Sequence, residues 1–152
     1  MTISNTGLNQ IKKHEGLRLH AYLDPVGIPT IGYGNTYYEN GDKVKMGEFI
    51  TIERAEQLLR FFIDKKFSPA IDSMVKPELN QSQFDALISF AYNVGLGALS
   101  NSTLLKKVNA NPSDNSIRQE FLKWNKAGGQ VWKGLTKRRE EEADMYFEVT
   151  ER

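Results

Sequence analysis

Apolar residues fall at helical spacing through most of this chain, and residues 28–49 break that rhythm. Leu8 and Ile11, with Ile3 before them, predict a first helix capped by Asn5 or Thr6 and ended by Gly16. Thr51 caps a second helix over about residues 51–67, with Ile52, Ala55, Leu59, Phe62 and Ile63 in one stripe and Pro69 beyond its end. Asn80, with Gln83 in capping-box position, opens a third that buries Phe84, Leu87, Ile88 and Ala91 before NVGLG at 93–97 ends it. Ser102 or Thr103 starts a short helix, and Pro112 with Ser113 or Asp114 starts another through Ile117, Phe121 and Trp124. AGG at 127–129 breaks the chain again. A last helix runs from about Thr136 through Arg138, Arg139 and an acidic run to Met145, Tyr146, Phe147 and Val149.

Between the first two helices the signals are those of strands. Asp24-Pro25-Val26-Gly27 has the residues of a β-turn, with Asp first, Pro second and Gly fourth, and IPTIGYG follows it. Asn40-Gly41 marks another tight turn, after which residues 44–49 can pair back. The expectation is a small antiparallel sheet of two or three short strands with Pro29 at an edge. No repeat, linker or low-complexity tract divides residues 1–152, so one domain is expected, α+β and mainly helical.

One position disagrees with the pattern. Continuing the stripe of Leu8 and Ile11 leads to Glu15, a carboxyl where the helix face calls for an apolar residue. Lost hydration and the negative end of the helix dipole both disfavour its ionised form, which is what a general acid needs near neutral pH. The plain alternative, a border residue paired with Lys12, Arg18 or Arg139, is about as well supported. Asp24, in a polar turn, should be ionised and suited to polarising a water, although Asp favours that turn position for local reasons alone. Thr30 is an ordinary strand residue unless its hydroxyl shares a water with Asp24.

Composition narrows the classes further. With 20 Lys+Arg against 19 Asp+Glu, no global field marks a nucleic-acid or membrane binder, and zero Cys excludes thiolate chemistry. His14 and His20 lack a metal-ligand arrangement, so no metal is implied, and the Gly pairs at 32 and 34 and at 95 and 97 are too short for a dinucleotide loop. No stretch approaches the ~18 apolar residues of a membrane span, and the N-terminus has no apolar signal region. Trp124 continues a core stripe; Trp132 suits core or sugar platform equally. The basic residues from Lys123 to Arg139 are expected to form a solvated face offset by the acids at 140–142.

Glu15-Gly16-Leu17-Arg18-Leu19, Ala21-Tyr22, Asp24, Gly27 and Thr30-Ile31-Gly32-Tyr33-Gly34 together resemble the signature of the phage-type lysozymes, the muramidases that include the lysozyme of T-even bacteriophages. The likeness continues through residues 90–95, 102–105, Trp124-Asn125, 127–129, Gly134-Leu135 and Arg138-Arg139. It implies a two-lobe fold, with a β lobe over about 20–50, a linking helix over about 51–67 and a helical lobe over about 68–152 joined by the N-terminal helix. It also implies hydrolysis of the β-1,4 bond between N-acetylmuramic acid and N-acetylglucosamine in peptidoglycan, by an inverting route without a cofactor. Glu15 would be the general acid, Asp24 would direct the water and Thr30 would hold it. Arg138 or Arg139 would approach Glu15. Tyr33, Gly34, Asn35, Thr36, Phe90, Asn93 and Ser102 are the implied cleft contacts, Asn35 standing where the T-even enzyme has a histidine. The resemblance further implies a monomeric endolysin made in the host cytoplasm, acting at the wall once a separate membrane-permeabilising protein admits it. Its partner would be the glycan strand, with no nucleic acid and no membrane insertion. A non-catalytic wall-binding or phage structural module on the same fold is the contrasting expectation.

Overall fold

The computed structural model describes residues 1–148; Val149, expected in the last apolar stripe, lies outside them. Helix α1 spans Asn5–Glu15 and is capped by Ser4, whose hydroxyl accepts from the Gly7 N–H at 3.2 Å. The cap therefore precedes the expected Asn5 or Thr6. Its position is set by tertiary contact: buried Asp85 takes the Ser4 N–H at 3.1 Å and the Ser4 hydroxyl, and so draws the start of α1 onto a later helix.

Strands β1 (Arg18–Leu23) and β2 (Pro29–Gly32) form an antiparallel hairpin, with Tyr22 opposite Thr30 and Leu23 opposite Pro29. The Asp24 turn joins them. Its Gly27 N–H donates to the Asp24 carbonyl at 2.9 Å, the bond that defines a β-turn. The main partner of β2 therefore lies before the turn, whereas residues 48–50 add only backbone bonds from Ala21 to Glu48 and from Ile50 to Leu19. The Asn40-Gly41 turn forms as expected, closed by the Tyr38 N–H to Asp42 carbonyl bond at 2.9 Å.

Helix α2 (Ile52–Phe62) is capped by Thr51, which accepts from Arg54 N–H at 3.1 Å. It continues through a wide π turn, Ile63–Phe67, into α3 (Ser68–Met74). Pro69 thus lies inside a continuous helical path, not beyond its end. The Ser68 N–H reaches back five residues to the Ile63 carbonyl, and Pro69 takes a place in the first turn of α3 where its missing N–H costs little. One side of α2 puts Leu58 with Ile31 and Val44 in a small cluster under the sheet, and the other puts Ala55 and Leu59 into the main core. Arg54 also clasps Glu39 with two bonds of 2.6 Å.

The capping box at Asn80 and Gln83 is formed and opens α4 (Gln81–Val94), ended by Gly95 at φ 99°. Helix α4 is buried along residues 84–91 and forms the axis of the helical lobe. Against it pack α1, α3, α5 (Leu96–Ser100) and α8 (Lys133–Tyr146), the last beginning three residues earlier than expected, while α6 (Thr103–Ala110) and α7 (Ile117–Leu122) run in series between α5 and α8. The AGG break is a second hairpin, β3 (Lys126–Ala127) with β4 (Gln130–Val131). The architecture is α+β, mainly helical, with small antiparallel sheets.

Candidate active site

Helix α1 delivers Glu15 as its final residue, and Gly16, at φ 69°, turns the chain away towards β1. The stripe that buries Leu8 and Ile11 carries on to Glu15, whose side chain keeps 22% of its surface exposed. That surface faces two cavities. One, of about 370 Å³, is lined by Glu15, Gly34, Asn35, Thr36, Lys66 and Tyr92 among others; the second, of about 460 Å³, includes Glu15, His14, Asn93, Trp132 and Arg138. Glu15 is common to both.

Gly34 follows β2 at φ +92°, and a Cβ there would stand 3.8 Å from Glu15 Oε1. The backbone is fixed by Tyr92, whose hydroxyl donates to the Tyr33 carbonyl at 2.5 Å. Burial, and then the charge of Glu15, push the Tyr92 phenol well up, so it remains a donor at any ordinary pH. From α8, Arg138 Nη1 donates to Glu15 Oε2 at 2.5 Å. Arg138 and Arg139 both flank Glu142, which is fully buried and also accepts from Ser89 Oγ at 2.5 Å. Burial pushes the Glu142 carboxyl up against the pull of the two guanidiniums, and it pushes Arg139 down.

Asp24 and Thr30 stand together on the hairpin and outside both cavity linings. Asp24 Oδ1 accepts from the N–H groups of Val26 and Ile28 at 2.9 and 2.8 Å, and Thr30 Oγ1 donates to the Ile28 carbonyl at 2.8 Å. One residue, Ile28, therefore fixes both side chains. Asp24 Oδ2 takes no hydrogen bond from the described residues, and the Thr30 hydroxyl has spent its proton but keeps acceptor capacity.

The phage lysozyme family model matches residues 12–142, which include every element of this site. The chain belongs to the phage lysozyme family. Among its relatives, the endolysin of Bacillus phage B103 is 48% identical over 97% of this chain, and the chain spans about half, 54%, of that protein's length. The endolysin of Salmonella phage P22 is 41% identical over 94% of this chain and 97% of its own. The solved endolysin from Escherichia coli O157:H7 phage FAHEc1 superposes with a TM-score of 0.88 at 40% identity, covering 100% of this chain and 97% of its own.

Of the residues named from the resemblance, Gly34, Asn35, Thr36 and Asn93 line the two cavities, and of the two arginines it is Arg138 that bonds Glu15. Arg139 instead holds Asn93, from Nη2 to Oδ1 at 2.8 Å. Asn35 is buried, paired with Ile31 through both backbone bonds, and its Oδ1 has no hydrogen-bond partner among the described residues. Three expected contacts lie elsewhere. Phe90 is fully buried edge-to-face against Phe121 and Trp124, Tyr33 packs its ring into the main core, and the Ser102 hydroxyl is used up capping α6 between Leu105 N–H and the Leu99 carbonyl. Residues two apart on a helix point to nearly opposite sides, so with Phe90 inward it is Tyr92 that meets the cleft. The tail of the basic stretch also departs from expectation. Arg138, Arg139 and Glu142 are buried against α4, not solvated. The spacing of Glu142, three and four residues after the arginines, was the available signal.

Proposed function

We propose that this chain is a lysozyme: a glycoside hydrolase that cleaves the β-1,4 bond between N-acetylmuramic acid and N-acetylglucosamine in peptidoglycan. The observation that carries the reading is Glu15, a carboxyl on the wall shared by two cavities, with Gly34 in front of it and Arg138 behind. A glycan strand laid through both cavities would place one glycosidic oxygen beside Glu15. Gly34 keeps the approach open because a side chain there would occupy the space before the carboxyl.

In this reaction Glu15 gives its proton to the departing glycosidic oxygen as the bond to the anomeric carbon breaks. Water attacks that carbon from the opposite side, and Asp24 takes the water's proton through the free Oδ2. Thr30 orients the water by accepting a hydrogen bond from it. Inversion follows, and it requires a Glu15 to Asp24 carboxyl separation of about 6.5 to 9.5 Å in the substrate-bound enzyme. Asn35, Thr36 and Asn93 offer polar groups to sugar hydroxyl and acetamido substituents.

The 1–152 chain acts as a single catalytic domain and a monomer, in the manner of a phage endolysin made in the host cytoplasm. Delivery to the wall by a separate membrane-permeabilising protein belongs to this reading; among the described residues no helix is long and apolar enough to cross a membrane. The test is lysis of outer-membrane-permeabilised bacteria. The wild type is expected to clear the suspension and Glu15→Gln to lose at least about a hundredfold in rate; equal clearing by the two removes Glu15 from the reaction.

A further inference from the structure

Glu142 is fully buried, yet it is the point on which the arginines around the site converge. Its Oε2 accepts from Arg138 Nε at 3.2 Å and from Ser89 Oγ at 2.5 Å, and its Oε1 lies 2.8 Å from Arg139 Nε. Arg138 uses its remaining nitrogens on the Ser89 carbonyl, from Nη2 at 3.1 Å, and on Glu15, from Nη1. Every guanidinium nitrogen of Arg138 is thus committed: two inward to α4 and α8, one outward to the cleft. Arg139, stacked 5.1 Å over the Phe90 ring, carries the same anchor on to Asn93.

The charge balance gives this arrangement a chemical consequence. Two buried cations sit between one fully buried carboxylate and one carboxyl at the cleft. Without Glu142, both would be compensated by Glu15 alone, and separating Glu15 from its charge would leave them unpaired. With Glu142 ionised, Arg138 keeps a counter-charge while Glu15 gains and loses a proton. The other groups facing this network are Ser89, Asn93 and Tyr92 from α4, His14 from α1, Tyr22 from β1 beside Tyr92, and Lys66 from the π turn, which lines the same cavity as Glu15.

We propose that Glu142 is a positioning residue for Glu15: it holds Arg138 in the orientation that reaches the cleft and supplies the counter-charge that lets Glu15 carry a proton beside a guanidinium. The proposal rests on Glu15 being the acid of the reaction above. It is tested on the full chain as wild type, Glu142→Gln and Ser89→Ala, by carbon-detected NMR titration of the Glu15 carboxyl and by kcat and KM against pH on soluble glycan strands. Thermal unfolding establishes which variants are folded.

In Glu142→Gln the Glu15 titration is expected to move down by about one pH unit, the alkaline limb of kcat to move with it, and KM to change by less than about twofold. Ser89→Ala should move both in the same direction and by less. A folded Glu142→Gln with Glu15 titration and kcat limb unchanged overturns the proposal. Should Glu142→Gln not fold, an unmoved titration in Ser89→Ala overturns it instead. Movement of the titration in a protein that cleaves no glycan supports the positioning role and removes the proposed reaction.

Discussion

Arg138 reaches Glu15 from inside the protein: Nη1 donates to Oε2 at 2.5 Å while the arginine itself is only 3% exposed. The contact is made by a planar group held on three sides, which a flexible ammonium does not reproduce. Arg138→Lys keeps the charge but loses the simultaneous bonds to Glu142 and the Ser89 carbonyl. The expected outcome is a kcat lower by about tenfold or more, and stability lower by on the order of 2 to 4 kcal/mol because a buried pair is broken. Denaturant unfolding and steady-state kinetics on the same preparation check both.

Gly34 combines a left-handed backbone with proximity to the acid. Its φ of +92° makes any side chain strained, and the added Cβ would sit in ordinary contact distance of Glu15 Oε1 and Tyr92 Oη, at 3.8 and 4.0 Å. Gly34→Ala is expected to cost about 1–2 kcal/mol through backbone strain and to raise KM by filling the cleft in front of Glu15. Unchanged KM in the folded variant would place the glycan elsewhere.

Gly7 gives the opposite sign from the one helix propensity suggests. Replacing a helical glycine by alanine ordinarily gains up to ~1 kcal/mol, less in the first turn, where Gly7 stands. Here the new Cβ would lie 2.6 Å from Asp85 Cγ and 2.9 Å from Ile3 Cγ1, where α1 meets α4. Gly7→Ala is expected to destabilise by about 1–3 kcal/mol, measured by thermal or denaturant unfolding.

Glu39 supplies a pH dependence of stability. The Arg54 guanidinium, clasping it through two bonds of 2.6 Å, holds its carboxyl below the usual range in the folded state. A depressed folded value means the contribution is fully present above the unfolded pKa and is lost as pH falls through the folded one. Glu39→Gln should therefore lower Tm at about pH 7, and the difference from wild type should shrink towards about pH 3. A difference that stays constant across that range contradicts the assignment.

What was legible in the residues was mostly local. The Thr51 cap, the Asn80–Gln83 capping box, the Asp24 turn and the Gly16 and Gly95 stops depend on groups within a few positions of each other, and all are formed. Glu15 was visible as a carboxyl on an apolar stripe. What escaped depends on packing between distant segments. The Ser4 cap exists because Asp85 binds it from 81 residues away, and residues 18–23 are held as a strand from both sides, by β2 and by the backbone of residues 48–50. The acids after Arg139 read as solvated, yet α8 turns Glu142 towards Ser89 and seals it in. Family likeness pointed to residues 90–95 without the helix phase, which turns Tyr92 and Asn93, and not Phe90, to the cavities that Glu15 lines.

Whether Glu15 and Asp24 cleave the glycan with inversion is read from the products on purified peptidoglycan, by mass spectrometry with NMR of the newly formed anomeric centre at early times. The wild type is expected to release fragments ending in a reducing N-acetylmuramic acid, first as the α-anomer, and Glu15→Gln to release none. An anhydro-muramyl end, an initial β-anomer, or the same products from Glu15→Gln would contradict that reaction.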